Sequence, residues 1–255
     1  MEARARSFPK EHSMLVSVGN CEAEVRVAAL MSTPRLGFTD NFFTVAAALA
    51  PHKIAPIKYT GAFWDQCITR SIESVIDDHD VVLTIDYDSI FTARTVEALL
   101  ALLMHSGYDA VAPLQTKRES KAVMFAPLGI DESKTTEVTD DWFEKPVQPV
   151  GTAHFGCTMI RTEAIKRMEK PWFVATPNED GEWNGGHQDA DIAFWRNFVS
   201  AGNKLGIATN VSIGHAELMI TWPSRQASDG VVQQHTTGYW NSGQKPPEQA
   251  WGIVK

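Results

Sequence analysis

The run Val81-Val82-Leu83-Thr84-Ile85-Asp86-Tyr87-Asp88 constrains the fold more than any other stretch of the chain. It is apolar and β-branched without alternation, and it ends in two carboxylates one residue apart. A strand of that texture is covered on both faces, as in the parallel sheets of α/β folds, where ligands collect at the carboxyl ends of the strands. Asp86 and Asp88 therefore stand where a ligand would be. Two carboxylates this close repel each other unless a cation or a shared proton lies between them, so the pair predicts either a divalent metal or a raised pKa. The plain structural alternative is a strand end capped by solvated turn aspartates.

The flanking sequence repeats a strand, loop and helix pattern. Val25 to Met31 reads as the first core strand and breaks at Ser32-Thr33-Pro34-Arg35. Thr39 is placed to cap a helix that Pro51 stops. His52 to Tyr59 gives a strand, followed by the aromatic loop Thr60-Gly61-Ala62-Phe63-Trp64 and a helix over 65–77 with Ile68, Ile72, Val75 and Ile76 at helical spacing and Arg70 exposed. After Asp88, Thr92 is placed to cap a helix whose Val96, Leu99, Leu100 and Leu103 form a buried stripe, and Ala110 to Leu114 is a strand. Such alternation predicts right-handed βαβ units and a Rossmann-like α/β layer with a mixed, mostly parallel central sheet flanked by helices.

From Lys117 the texture changes to short strands and loops, with strands over 121–125 and 150–160. Thr162 is placed to cap a short helix that ends before Pro171. A long loop over 175–187 is of a size that is usually functional or mobile. Gln188-Asp189-Ala190-Asp191 then opens a helix with Ile192, Trp195, Phe198 and Val199 inward, and a last strand over 204–213 ends at Gly214-His215. The expected organisation is an extension over 1–24, a main domain over 25–221 divided at 116/117, and a tail over 222–255 that reads as a lid, a homodimer arm or a partly ordered segment.

Composition removes several classes. A net charge of −8 argues against a broad nucleic-acid footprint. Cys21, Cys67 and Cys157 are isolated, so neither a disulfide framework nor a thiolate zinc site is indicated. No apolar run approaches the length of a membrane span, and the first residues lack the apolar core of a leader, so a cytoplasmic protein is expected. There is no Gly-x-Gly-x-x-Gly after the first strand and no Gly-x-x-x-x-Gly-Lys-Ser/Thr, so any phosphate must be held another way.

Taken in order, Ser32-Thr33-Pro34-Arg35, Arg70, Ile85-Asp86-Tyr87-Asp88, Gly151-Thr152-Ala153-His154-Phe155-Gly156, Gln188-Asp189-Ala190-Asp191 and His215 resemble the landmarks of the GT-A nucleotide-sugar glycosyltransferases, closest to the family 2 type. The resemblance spans about Val25 to His215. It implies a nucleotide-sugar-binding half over 25–116 and an acceptor-binding half over 117–221. It further implies a UDP- or GDP-sugar donor held by Thr33, Pro34, Arg35, Tyr59, Arg70, Asp86, Tyr87 and Asp88, and Mn²⁺ or Mg²⁺ held by Asp86, Asp88 and His215. A mixed carboxylate and imidazole set favours Mn²⁺. His154, Phe155, Gly156, Glu182, Trp183 and His187 would face a hydroxylated acceptor. Asp189 corresponds to the general base of inverting members, with Asp191 as the second candidate, and Gln188 stands where the family usually has Glu.

Three other readings compete. Val82 to Thr92 also looks like the hhhhDxDxxxT motif of haloacid dehalogenase-type phosphatases, with Asp86 as nucleophile and Asp88 as acid/base, although two strand-helix units precede it here. A non-catalytic nucleotide-sugar-binding module is the second. A nucleotidyltransferase is the third, and it would want a Gly-rich loop and a Lys near the first strand, which this chain does not place there.

Overall fold

The computed structural model describes residues 13–18, 21–34, 36–117, 123–127, 140–223 and 231–236. In chain order the first half comprises β1 (Ser13–Val18), β2 (Cys21–Thr33), α1 (Thr39–Leu49), β3 (Ile57–Thr60), α2 (Trp64–Glu73), β4 (Val81–Asp86), β5 (Ser89–Ile90), α3 (Ala93–His105) and β6 (Ala110–Leu114). The second half comprises β7 (Phe125–Pro127), β8 (Val147–Ala153), β9 (Cys157–Arg161), α4 (Thr162–Lys166), α5 (Ala190–Ser200), β10 (Leu205–Ser212), β11 (Gly214–His215), β12 (Met219–Pro223) and β13 (Val231–Thr236).

The central sheet has the order β1-β2-β4-β9-β6-β10-β8-β7, with β3 on β2 beyond the end of β1. β3, β2 and β4 are mutually parallel, as are β6 and β10. β9 lies antiparallel to both β4 and β6, so it joins the two groups and leaves all five strands pointing the same way. Their carboxyl ends share one edge, and Asp86 lies on it.

Alternation in β2 and β4 explains why β4 reads as an unbroken apolar run. Val81, Leu83 and Ile85 pack with Val27, Ala29 and Met31 against α1 and α3, through Val45, Leu49, Val96, Leu99 and Leu103. The intervening Val82, with Ala28 and Leu30, packs on the other face against α2, α4 and α5, through Ile68, Ile72, Ile165, Phe194, Trp195 and Phe198. Each fully buried aliphatic side chain contributes roughly 1.5–3 kcal/mol relative to exposure.

Several local features differ from the sequence reading; Thr162, for one, is the first residue of α4 and not its cap, which falls on Arg161 without a side-chain bond. β2 starts at Cys21 rather than Val25, because β1 pairs antiparallel with it from Val18 opposite Cys21 to Ser13 opposite Arg26. The expected strand from His52 shrinks to Ile57–Thr60, since Ala50–His52 forms a 3-10 turn and Lys53 takes a left-handed φ of 55°. The expected strand over 150–160 is two strands, which join different neighbours on either side of His154-Phe155-Gly156. α1 starts without a side-chain cap, with Phe38 rather than Thr39 at the cap position, whereas Thr92 caps α3 as expected, in a reciprocal pair with Thr95. Among the described residues no helix is long and apolar enough to cross a membrane. The tail expected over 222–255 lies mostly outside the described residues, as does Arg35.

Candidate active site

Beyond Asp86 the chain turns and forms β5, which pairs antiparallel with β11 so that Ser89 faces His215 and Ile90 faces Gly214. Gly214 suits this approach, because a Cβ there would lie 3.2 Å from the Ile90 Cβ. This two-residue ladder carries His215 to Asp88: Nε2 lies 3.3 Å from Asp88 Oδ2, with the side chains 10% and 4% exposed. His215 Nδ1 is 2.9 Å from the Thr116 carbonyl oxygen. A carbonyl only accepts, so Nδ1 carries the hydrogen and Nε2 of the neutral ring turns its lone pair toward the Asp88 carboxylate. That arrangement calls for a proton or a cation on Nε2.

The turn is held from two helices. Asn41 of α1, 1% exposed, donates from Nδ2 to the carbonyl oxygens of Asp86 at 3.0 Å and Ser89 at 2.6 Å. Trp64, the first residue of α2, donates its indole N–H to Asp86 Oδ1 at 3.1 Å. The Ala216 N–H closes the turn on the Asp88 carbonyl at 2.7 Å. Neither Asn41 nor Trp64 was singled out from the sequence. The signal for Asn41 was legible all the same, as a polar residue one turn before Val45 in the apolar stripe of α1.

Burial pushes the Asp86 carboxyl up to about 7, with the neighbouring Asp88 and Asp191 charges adding to it and the Trp64 hydrogen bond and His215 opposing it. Asp191, in the first turn of α5, is thus within electrostatic reach of the same point. Among the described residues no three His, Cys, Asp or Glu side chains are already gathered as a complete metal cage. The donor set nevertheless fits a divalent ion. Adjacent ligands on an octahedral ion with bonds of about 2.1 Å are about 3 Å apart, close to the Asp88 to His215 separation, and the surplus of carboxylates supplies the charge.

Of the remaining donor-side candidates, Thr33, Pro34, Tyr59 and Tyr87 lie at the same edge, and Arg70 does not. Thr33 is partly buried, its hydroxyl 3.4 Å from the Tyr59 carbonyl oxygen and 3.0 Å from the Thr60 hydroxyl, while Pro34 is exposed and Tyr59 partly so. Tyr87 stacks on Phe38 with ring centroids 6.1 Å apart. Arg70 is exposed in the last turn of α2, six residues and about 9 Å along the axis from Trp64. It is the start of that helix, not Arg70, that meets the Asp86 carboxyl.

The acceptor-side candidates divide into two groups. His154 and Phe155 are buried beneath the site instead of facing an acceptor. His154 Nε2 donates to the Pro113 carbonyl at 2.8 Å, and Nδ1 accepts from the Gly156 N–H at 3.0 Å. Phe155 packs with Trp64, Phe173, Phe194 and Trp195. Gly156 admits no side chain there, since a Cβ would fall 2.7 Å from Ser89 Oγ and 2.9 Å from Gln115 Oε1. Glu182, Trp183 and His187, by contrast, lie on a loop closed by mutual Thr176 and Gln188 backbone bonds of 2.9 Å, with Trp183 60% exposed. Asn178 braces the loop by accepting from the Asp180 and Glu182 N–H groups. At its end His187 Nε2 meets Asp189 Oδ1 at 3.3 Å, and Gln188 accepts a hydrogen bond from Arg196.

No family profile matches the chain, and no curated protein sequence does. Solved structures do. A197 from STIV matches with a TM-score of 0.50 at 15% identity, over 82% of this chain and 94% of that one. GalNAc-T7, solved with UDP, GalNAc and Mn²⁺, matches with a TM-score of 0.53 at 11% identity, over 75% of this chain but only 44% of that one. At such identities the likeness concerns architecture, and it agrees with the sheet order and the site-bearing edge described above: the chain has the GT-A fold, a mixed α/β sheet flanked by helices.

Proposed function

We propose that the protein is a metal-dependent glycosyltransferase that moves a sugar from a nucleoside-diphosphate sugar to a hydroxyl acceptor. The observation that carries this reading is the Asp88 and His215 pair, whose carboxylate oxygen and Nε2 face each other at 3.3 Å, with Asp86 next to Asp88 and the Asp191 charge within reach of Asp86. The GT-A fold and the UDP and Mn²⁺ of the GalNAc-T7 structure support it. Asp88 and His215 would hold Mn²⁺ or Mg²⁺, with Asp86 on the ion or the ribose. When bound, the ion neutralises the charge that develops on the departing diphosphate.

The chain's own groups supply the rest. Thr33, Pro34, Tyr59 and Tyr87 line the edge where the nucleoside would lie, and the exposed Trp183 with Glu182 and His187 gives the acceptor a polar loop with an aromatic face. The acceptor oxygen attacks the anomeric carbon, the bond from that carbon to the diphosphate oxygen breaks, and the nucleoside diphosphate leaves with the bonding electrons. Asp189 takes the hydroxyl proton, held by His187 on the acceptor side. The reach of Asp191 to Asp86 favours one second reading, with Asp191 as the base. A phosphatase built on Asp86 fits less well, because Trp64 engages one Asp86 oxygen and Asp88 is committed to His215.

Calorimetry of UDP and GDP with the protein tests the donor site. Binding is expected with Mn²⁺ and is expected to vanish in excess chelator and in the Asp88→Ala variant. Equal affinity with and without chelator would overturn the reading.

A further inference from the structure

Trp64 joins two parts of the molecule that the sequence keeps apart. Its indole N–H bonds Asp86 Oδ1 at 3.1 Å, so the carboxylate can rotate only by breaking that bond. Its own carbonyl accepts from Ser32 Oγ at 3.4 Å, which ties the start of α2 to the end of β2. Its ring meets Phe155 and Phe173 edge-on, at centroid distances of 5.2 and 5.4 Å. Phe155 then stacks on Trp195 at 4.8 Å, and Phe173 on Phe194 at 4.6 Å. Phe194 and Trp195 belong to α5, the helix that opens at Asp189 and Asp191.

Buried Trp rings usually find a partner for the N–H, and packing alone would be met by Phe. Trp172 and Trp195 have buried indole nitrogens with no hydrogen-bond partner among the described residues, so burial in this aromatic region does not by itself enforce such a bond. The Trp64 bond is specific to a carboxylate at the candidate metal centre. Groups that orient ligating carboxylates commonly change metal affinity 10- to 100-fold when they are lost.

We propose that Trp64 is a positioning residue: its indole N–H locks the Asp86 carboxylate for a metal-bound nucleoside diphosphate, while its ring fixes that carboxylate relative to α5. The assignment rests on the reading of Asp86 and Asp88 given above. Trp64→Phe separates the two roles, because it keeps an aromatic ring against Phe155 and Phe173 and removes the donor, and the ligand-free unfolding temperature reads the packing lost with the smaller ring.

The test is calorimetric titration of UDP in the presence of Mn²⁺, with unfolding temperatures of both proteins measured without ligand. Trp64→Phe is expected to bind about 10-fold more weakly than the wild-type protein while unfolding at the same temperature. Unchanged affinity in Trp64→Phe overturns the assignment and leaves the donor site intact. Absence of binding by the wild-type protein overturns both. Should Trp64→Phe unfold early, the wild-type protein decides by NMR, where UDP with Mg²⁺ is expected to shift the assigned Trp64 indole N–H resonance. An unmoved resonance overturns the assignment.

Discussion

His154 sits in a buried turn with both ring nitrogens committed, and that commitment sets how the fold responds to acid. Burial pushes its pKa down to about 4, with the His215 charge adding to the effect and the bond to Pro113 opposing it. The ring is therefore neutral in the folded protein at a pH where the unfolded chain already takes up a proton. The sign follows. Stability from this group is complete above the ordinary histidine pKa of about 6.5 and is lost as the pH falls toward about 4, by on the order of 3 kcal/mol. Denaturant unfolding of wild type and His154→Gln at about pH 7.5 and about pH 4.5 checks this, because Gln keeps a donor for the Pro113 carbonyl but cannot be protonated. The wild type is expected to lead at the higher pH and to lose that lead at the lower one. A gap independent of pH would show that His154 does not titrate in this way. Asp86 runs the other way. Its raised carboxyl pKa favours the folded state below the ordinary aspartate range, and that stability is lost as the pH rises through about 7, where the ionised group becomes ready for a cation.

At the scale of elements, α5 carries the choice between two candidate bases. Asp189 occupies its N-cap position, yet its carboxylate makes no capping bond and meets His187 of the preceding loop instead. An N-cap Asp ordinarily stabilises its helix by about 1 kcal/mol through such a bond, and here the carboxylate, 67% exposed, is turned instead toward the loop that carries His187. Asp189→Asn is expected to lower kcat at least about 100-fold while leaving Mn²⁺-dependent UDP affinity unchanged, since a base acts on the acceptor in the transition state. Near-normal turnover in that variant, with the loss appearing in Asp191→Asn, would assign the base to Asp191. Much of this element was legible from Gln188 to Gly202, because acidic residues, an apolar stripe and a terminal glycine mark both ends and the buried face. β4 was legible for the same kind of reason, as both of its faces are apolar and so leave no other placement. β3 and the pair β8 and β9 were not. Pro56 next to Ile57 and a left-handed Lys53 shorten β3 in a way that apolar content hides. The break at His154-Phe155-Gly156 shows in sequence as a single glycine, and what makes a glycine fit there, the close approach of Ser89 and Gln115, is tertiary.

Across the whole molecule, the site is assembled from segments that no local pattern relates. Asp88 follows β4, His215 follows β10 and β5 and β11 zip the two together, so the sequence could name both residues while their contact depended on the sheet order. Asn41 and Trp64 reach the same turn from α1 and α2, helices packed on opposite faces of the sheet. On the proposed reading, a ligand held by Asp88 and His215 would brace the carboxyl edge against both hydrophobic layers, and opening either layer would release it. Binding to the folded state alone stabilises by RT ln(1 + [L]/Kd), about 2.7 kcal/mol at a hundredfold excess over Kd. In a chain of this size that raises the unfolding temperature by roughly 5–10 °C. Thermal unfolding with Mn²⁺ and UDP together is expected to show that rise, and Mn²⁺ with UDP and excess chelator is expected to show none. His215→Ala is expected to lose most of the rise, measured against its own ligand-free unfolding temperature, because the substitution takes the Nε2 that faces Asp88 out of the ligand set. A full rise in His215→Ala would remove the imidazole from the ligand set and leave the two aspartates to carry it.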